Sequence, residues 1–429
     1  MRDKLHININ LNIRGMGPSA TLAINEMSNR MIKEGREVFK LGLGQSPFPV
    51  PEPVVEALRQ NAHQKEYLPV KGLPELQEAI ANFNLRKHNL RCTPEDVLIG
   101  PGSKELIFLL QLVYYGDLII PTPSWVSYSP QARIVGRNVN WIPTKADNNW
   151  RLSPDMLEMI CRTDPTRPRI AILNYPANPT GYTYPLERLE RLAHVARRYG
   201  VILVSDEIYG LIHHNGKHVS VANYYPEGTI VSSGMSKWCG AGGWRLGCFT
   251  FPAKLRWLLD AIASVASETY TATSSPIQYA AITAFEENSE IENYLLHSRR
   301  ILKTIAKVLV DKLRNMEIDI QLPQGAFYLF PDFNPYRGKL EKYGIYTSGE
   351  LCKRILEKTG VAMLPGSDFG RPPEELTTRI SYVDFDGANA LETSGKIPVE
   401  KELNSTFMKE NCPKLVKAFD LLGDWLAAL

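Results

Sequence analysis

Between about Val97 and Thr250 the chain alternates short apolar runs with longer amphipathic segments: VLIG, ELIFLLQLVYY, DLIIP, then RIAIL, LERLERLAHVARRYG, VILVSD and TIVSS. Runs such as VILV lack the every-second-residue polarity of a strand with one wet face, so they have to be covered on both sides. Strands of that kind joined by helices form a mostly parallel sheet with crossover helices, and the predicted fold class is α/β. A length of 429 residues with 44% hydrophobic side chains exceeds one simple core and fills two.

The Gly- and Pro-punctuated stretch LGLGQSPFPVPEP, which follows a helical pattern of apolar positions (Ile24, Met27, Met31), marks a domain junction. After about Leu295 come a long helix (Ile301, Ile305, Leu309, Leu313), a strand-like GAFYLFPDF, a helix near Leu351 to Thr359, and RISYVDF. The expected organisation is a large domain, residues 46–297, and a smaller α+β domain assembled from residues 1–45 and 298–429. The polar, weakly patterned stretch from Asp386 to Cys412 reads as a surface insertion before a last helix, Lys414 to Leu426.

Composition narrows the function class. The 49 basic and 46 acidic residues are mixed along the chain and leave a net charge of +3, with no basic stripe for nucleic acid or an anionic membrane, so small molecules are the expected partners. Six scattered cysteines form no Cys-x-x-Cys unit and read as reduced, mostly buried thiols. MRDKLHININLNIRG has no apolar core of signal-peptide length and no run suits a bilayer span, so a cytoplasmic protein is expected. No metal site is expected: there is no His-Glu-x-x-His, and His213 and His214 have no evident ligand partners. Gly240, Gly242 and Gly243 do not match a dinucleotide or P-loop spacing.

In an open parallel sheet, ligands sit beyond the carboxyl ends of the strands, so the residues that follow each apolar run carry the chemistry. After VLIG come Pro101, Gly102, Ser103 and Lys104 and then a helix, which points free N–H groups and a hydroxyl at an anion. DLIIP is followed by Thr122-Pro-Ser-Trp125, RIAIL by Asn174-Tyr-Pro-Ala-Asn178, VILVS by Asp206-Glu207-Ile-Tyr209, and TIVSS by Gly234-Met-Ser236-Lys237 and GAGGWRLG. Each alone has a plainer explanation, such as a helix cap, core filling, a turn former or a solvated charge. Their joint placement is the informative fact.

NYPANPTG, SDEIY and SKWCGAGGWRLG, in this order and at these separations, resemble the aspartate aminotransferase family, the class I/II aminotransferases of pyridoxal-phosphate (PLP) fold type I, and within it the prokaryote-type subgroup. The resemblance runs from about Pro18 to Asp384. It implies a large domain with a mostly parallel central sheet flanked by helices, plus a smaller α+β domain, and a PLP cofactor linked through its aldehyde to Lys237. Asp206 would pair with the pyridinium nitrogen, Asn178 and Tyr209 would bond the phenolic oxygen, and Trp125 would stack on the ring. Gly102, Ser103, Ser236 and Arg245, with Lys104 nearby, would hold the phosphate. Many relatives have serine three residues before the lysine, where this chain has Gly234. Either Ser233 shifts inward, or the phosphate loses one contact worth about 1 kcal/mol. Tyr67 matches the position that reaches the phosphate of the neighbouring subunit, which implies a homodimer.

For substrate, the resemblance implies that Arg379, in TTRISYVDF, and the backbone at Gly44 bind the α-carboxylate of an amino acid and its 2-oxo acid. In the prokaryote-type subgroup a lysine and a threonine contact the distal carboxylate. Lys104 and Thr21, in PSAT, stand at those positions and favour aspartate or glutamate. Tyr270 and Tyr328 would instead line an aromatic or mixed pocket. The leading expectation is a ping-pong aminotransferase; the alternatives are an aromatic or broad-specificity aminotransferase, a PLP-dependent lyase performing β-elimination or decarboxylation, and a PLP-binding regulator, for which the chain before Pro18 is too short to hold a DNA-binding domain.

Overall fold

The structure is a computed structural model that describes residues 9–318 and 320–429; residues 1–8 of the expected N-terminal arm, and residue 319, lie outside the described part. In chain order its strands are β1 (Phe39–Lys40), β2 (Val97–Gly100), β3 (Asp117–Thr122), β4 (Val139–Pro143), β5 (Arg169–Asn174) and β6 (Ile202–Asp206). They continue with β7 (Thr229–Gly234), β8 (Gly247–Thr250), β9 (Tyr328–Leu329), β10 (Val361–Ala362), β11 (Leu364–Pro365) and β12 (Thr378–Ser381).

Seven of these form the main sheet in the order β2-β8-β7-β6-β5-β3-β4, parallel except for β8, which runs antiparallel to both neighbours. The unalternating runs are strands, as their apolarity requires. On one face Ile170, Ile172, Ile202 and Val204 pack with Leu106, Leu110, Leu258 and Ile262 of the helices Ser103–Val113 and Arg256–Ser267. On the other, Ala171, Leu173 and Leu203 meet Leu157, Leu189 and Leu192 of the helices Pro154–Thr163 and Leu186–Arg198. Each such aliphatic side chain contributes roughly 1.5–3 kcal/mol by leaving water, which fixes the sheet between two helical layers.

The helix Ser289–Asn315 is 27 residues long and starts where the Asn288 side chain accepts from the amides of Glu290 (2.9 Å) and Ile291 (3.2 Å). It runs through the expected boundary at 297/298 and buries one stripe, from Ile291 through Ile301, Ile305 and Leu309 to Leu313, against the carboxy-terminal part. There β11, β12 and β9 form an antiparallel sheet and β1 pairs in parallel with β10. In the first helix, Ala20–Lys33, Met31 is buried while Met27 stands exposed; Ser28, bonded to the Ile24 carbonyl (2.7 Å), takes the inner position instead.

The stretch after Asp386, expected as a surface insertion, is helical and partly buried. It forms two short helices, Gly387–Gly395 and Ser405–Asn411, before the last helix, Pro413–Ala427. Asp386 and Asn404 cap them by accepting from the Asn389 and Phe407 amides (3.0 and 3.1 Å), and Ala390, Phe407 and Met408 are buried in the main core.

Candidate active site

At the carboxyl ends of β3, β5, β6 and β7 lies a cavity of about 560 Å³ lined by Gly44, Ser103, Lys104, Trp125, Asn178, Asp206, Tyr209, Ser236, Lys237 and Arg245, together with Gln45, Asn174, Ile208 and two glycines. Asp206 ends β6, opposite Ser232 of β7 and Asn174 of β5, so the sheet register itself points it at the cavity floor. It is buried, and its oxygens accept from the Tyr128 hydroxyl (2.5 Å), the Ile208 amide (3.4 Å) and the Ser232 hydroxyl (3.4 Å). Burial pushes its pKa up to about 6, and those hydrogen bonds only partly offset the rise. Among the described residues this carboxylate has no ion-pair partner.

Lys237 follows β7 and faces Asp206 across the same cavity. Its Nζ donates to the Gly44 carbonyl (2.7 Å) and lies 5.7 Å from the centre of the Tyr209 ring. Burial foremost, then the positive charges of Arg379 and Arg245, lower its pKa to about 8, so roughly a tenth of the amine is neutral and nucleophilic at pH 7, far more than for an ordinary lysine. The Tyr209 and Tyr328 hydroxyls share a hydrogen bond (2.7 Å). Gly44 is required here: a Cβ would stand 2.1 Å from the Tyr328 oxygen.

Part of the cavity lining is cationic. Gly102 caps the helix Ser103–Val113 with φ +96°, and a Cβ on it would meet Arg245 Nη2 at 2.2 Å. Arg245, itself at φ +57° after Gly242 and Gly243, donates to the carbonyls of Gly242 (2.9 Å) and Pro101 (3.2 Å). Lys104 Nζ lies 5.6 Å over the Trp125 ring, and burial together with Arg245 lowers its pKa. Ser233 pairs with Cys248 inside the sheet and does not line the cavity, so it has not moved inward. A Cβ on Gly234 would meet the Leu246 carbonyl oxygen (2.8 Å) and Gly247 Cα (2.9 Å), both backbone, which leaves no room there for the serine of relatives.

Arg379 on β12 is fully buried rather than a solvated edge residue. It donates to Asn178 Oδ1 (3.2 Å) and to the Gly42 carbonyl, its guanidinium lies over the rings of Tyr328 (4.9 Å) and Phe369 (5.1 Å), and its Nε has no partner. That leaves a buried cation with one donor still to be satisfied. Besides Gly102, Arg379 and Tyr328, whose contacts are given above, three more expected residues are absent from the cavity lining. Thr21 pairs with the Ser19 hydroxyl (3.0 Å), Tyr270 turns its hydroxyl to the Ile99 carbonyl (3.5 Å), and Tyr67 is 90% exposed on the surface. Tyr128, which meets the Trp125 ring edge-on at 5.2 Å, is a site residue that sequence reasoning does not reach, because its bond to Asp206 spans 78 residues.

These residues fit PLP. The buried Asp206 carboxylate lacks the cation that a protonated ring nitrogen would supply, the neutral-prone Lys237 amine suits an aldehyde, and the Ser103, Ser236 and Arg245 end suits a phosphate.

The family model for aminotransferase class I and II matches residues 36–389. The aspartate aminotransferase of Geobacillus stearothermophilus is 34% identical over 392 residues, 89% of this chain and 95% of that protein. The aspartate/prephenate aminotransferase of Thermus thermophilus is 32% identical over 362 residues, 83% of this chain and 90% of that one. Among solved structures, aspartate aminotransferase from Thermus thermophilus with maleate superposes with a TM-score of 0.83 at 28% identity, covering 98% of this chain and 100% of that chain. The aspartate aminotransferase from Rhizobium meliloti gives a TM-score of 0.82 at 26% identity, covering 98% and 99%. With the PLP fold type I architecture and a family match over most of its length, this chain belongs to the class I and II aminotransferases.

Proposed function

We propose that this aminotransferase binds PLP on Lys237 and moves an amino group between aspartate or glutamate and a 2-oxo acid by a ping-pong route. The observation that carries the reading is the pairing, across one cavity, of a buried lysine amine with a pKa near 8 and a buried carboxylate that lacks a counter-charge. PLP, when bound, supplies an aldehyde for amine capture and a ring that accepts electrons from the substrate. Lys237 anchors it and, once released, carries a proton to and from the substrate α-carbon. Asp206, steadied by Tyr128, keeps the ring nitrogen protonated; Tyr209 and the amide nitrogen of Asn178 donate to the phenolic oxygen, and Trp125 covers the ring face. Gly102, Ser103, Ser236 and Arg245 hold the phosphate, with Tyr67 of a second copy completing the site in a homodimer; its exposure supports that role. Arg379 and the backbone at Gly44 grip the α-carboxylate. Lys104 takes the distal carboxylate; Thr21, which hydrogen-bonds Ser19 outside the cavity lining, would have to move inward with the N-terminal helix to join it.

We further propose that residues 46–297 form the large domain and, among the described residues, 9–45 with 298–429 the small one, the helix Ser289–Asn315 bridging the two. Six unpaired cysteines support a reducing, cytoplasmic setting, and no helix among the described residues is long and apolar enough to cross a membrane.

The test is a half-reaction. Stoichiometric aspartate or glutamate added to purified holoenzyme shifts the cofactor's visible absorbance and releases the matching 2-oxo acid without an acceptor. Release of free ammonia, conversion of aspartate to alanine and carbon dioxide, or no spectral change overturns the reading.

A further inference from the structure

Arg371 plays no part in the chemistry above, yet it is among the most heavily bonded side chains of the molecule. Its side chain is 8% exposed, and the guanidinium forms a two-point pair with Glu375 (Nε to Oε2 2.8 Å, Nη2 to Oε1 2.7 Å). Its remaining nitrogen, Nη1, leaves the loop altogether. It donates to the Thr122 hydroxyl (3.0 Å), the Thr122 carbonyl (3.3 Å) and the Thr144 carbonyl (3.2 Å), at and just beyond the carboxyl ends of β3 and β4 in the main sheet. Its flat face lies 4.7 Å from the centre of the Trp150 ring.

Two lines of contact lead from there to the site. Trp150 meets Phe330 (5.7 Å), Phe330 meets Phe369 (6.2 Å), and Phe369 lies under the Arg379 guanidinium (5.1 Å). The Phe369 carbonyl also accepts from the amide of Ser124 (3.0 Å), the residue before Trp125. The loop can come this close to the sheet because Gly370, at φ +84°, has no side chain; a Cβ would press on Trp141 (3.0 Å) and Thr122 (3.1 Å).

We propose that Arg371 is a positioning residue that ties the loop Gly366–Leu376 to the ends of β3 and β4, and so holds Arg379 in register with Trp125. The inference rests on the reading of Arg379 as the carboxylate receptor. The planar fork suits the task, since one side chain answers a carboxylate on one edge and three oxygens on the other. Misplacing a receptor by a fraction of an ångström weakens its grip on substrate without touching the cofactor.

The test is a double-mutant cycle on holoenzyme with Arg371→Ala, Arg379→Lys and both together, reading KM and kcat for aspartate and glutamate, the cofactor's visible absorbance, and thermal stability. Arg371→Ala is expected to raise KM about tenfold, with kcat within about twofold and the absorbance unchanged. In the Arg379→Lys background the same change is expected to add less than about twofold, because the receptor it positions is already impaired. Should Arg371→Ala fail to fold, Glu375→Gln, which keeps the arginine but loosens its fork, serves in the same cycle with a smaller rise of about threefold. An unchanged KM, or a tenfold effect that persists beside Arg379→Lys, overturns the role of Arg371. An Arg379→Lys variant with unaltered KM for both amino acids instead overturns the carboxylate reading beneath it.

Discussion

Replacing Asp206 by asparagine should strengthen the cofactor-free protein and cripple the cofactor-bound one. The carboxylate is buried with three hydrogen bonds and no cation, so its pKa stands near 6 against an ordinary 3.8. A raised acid pKa means that the folded state holds its proton more tightly than the open chain does. Asp206 therefore contributes stability at low pH that is lost as pH climbs through about 6, and the rise from 3.8 is worth roughly 3 kcal/mol. Asparagine keeps an oxygen for Tyr128 and never ionises. Above pH 7 the cofactor-free Asp206→Asn protein should be the more stable of the two by on the order of 2 kcal/mol, after about 1 kcal/mol for weakened hydrogen bonds. Saturating PLP should reverse the order, because only the carboxylate pairs with a protonated ring nitrogen; loss of one partner of such a buried pair costs about 3 kcal/mol, or roughly 100-fold in PLP affinity. Thermal unfolding of both proteins at pH 5 and pH 8, with and without PLP, reads the crossing. A variant that is less stable than wild type at pH 8 without PLP, or that binds PLP equally well, would refute the reasoning.

Three further outcomes follow from the same geometry. The rate at which cofactor-free protein captures PLP should rise with pH and level off above about 8, where the Lys237 amine is neutral; a rise that continues towards pH 10.5, the ordinary lysine value, would show that burial does not depress it. Lys104→Gln should raise KM for aspartate and glutamate by about tenfold while leaving alanine within about twofold, and equal losses for both substrate classes in steady-state assays would remove the acidic-pocket argument. Gly234→Ser should lower stability by about 1–3 kcal/mol, since its Cβ presses on backbone at Leu246 and Gly247, and an unchanged melting temperature would show that the strand yields.

Much of this site was legible because it obeys the simplest rule of a parallel sheet. Asp206, Asn178 and Lys237 each follow a strand whose apolarity betrays it, so three distant motifs could be placed on one edge before any coordinates. Arg379 was placed only by its resemblance, since nothing local separates a buried arginine from a solvated one on a short strand. Tyr128 and Arg371 escaped for a related reason: both act by contacts with residues 78 and 249 positions away, and such pairings leave no periodic trace. The short helices after Asp386 leave only a weak pattern in the sequence because each buries only one or two apolar side chains, and their stability comes from caps and from the long helix they rest on rather than from an amphipathic pattern.

The covalent claim is open to direct chemistry. Borohydride reduction of the PLP-saturated protein, followed by proteolysis and mass spectrometry of the peptides, should place the reduced cofactor on the peptide that contains Ser236 and Lys237, with Lys237→Ala abolishing the label. A label on another lysine, or none at saturating PLP, would contradict the account at its root.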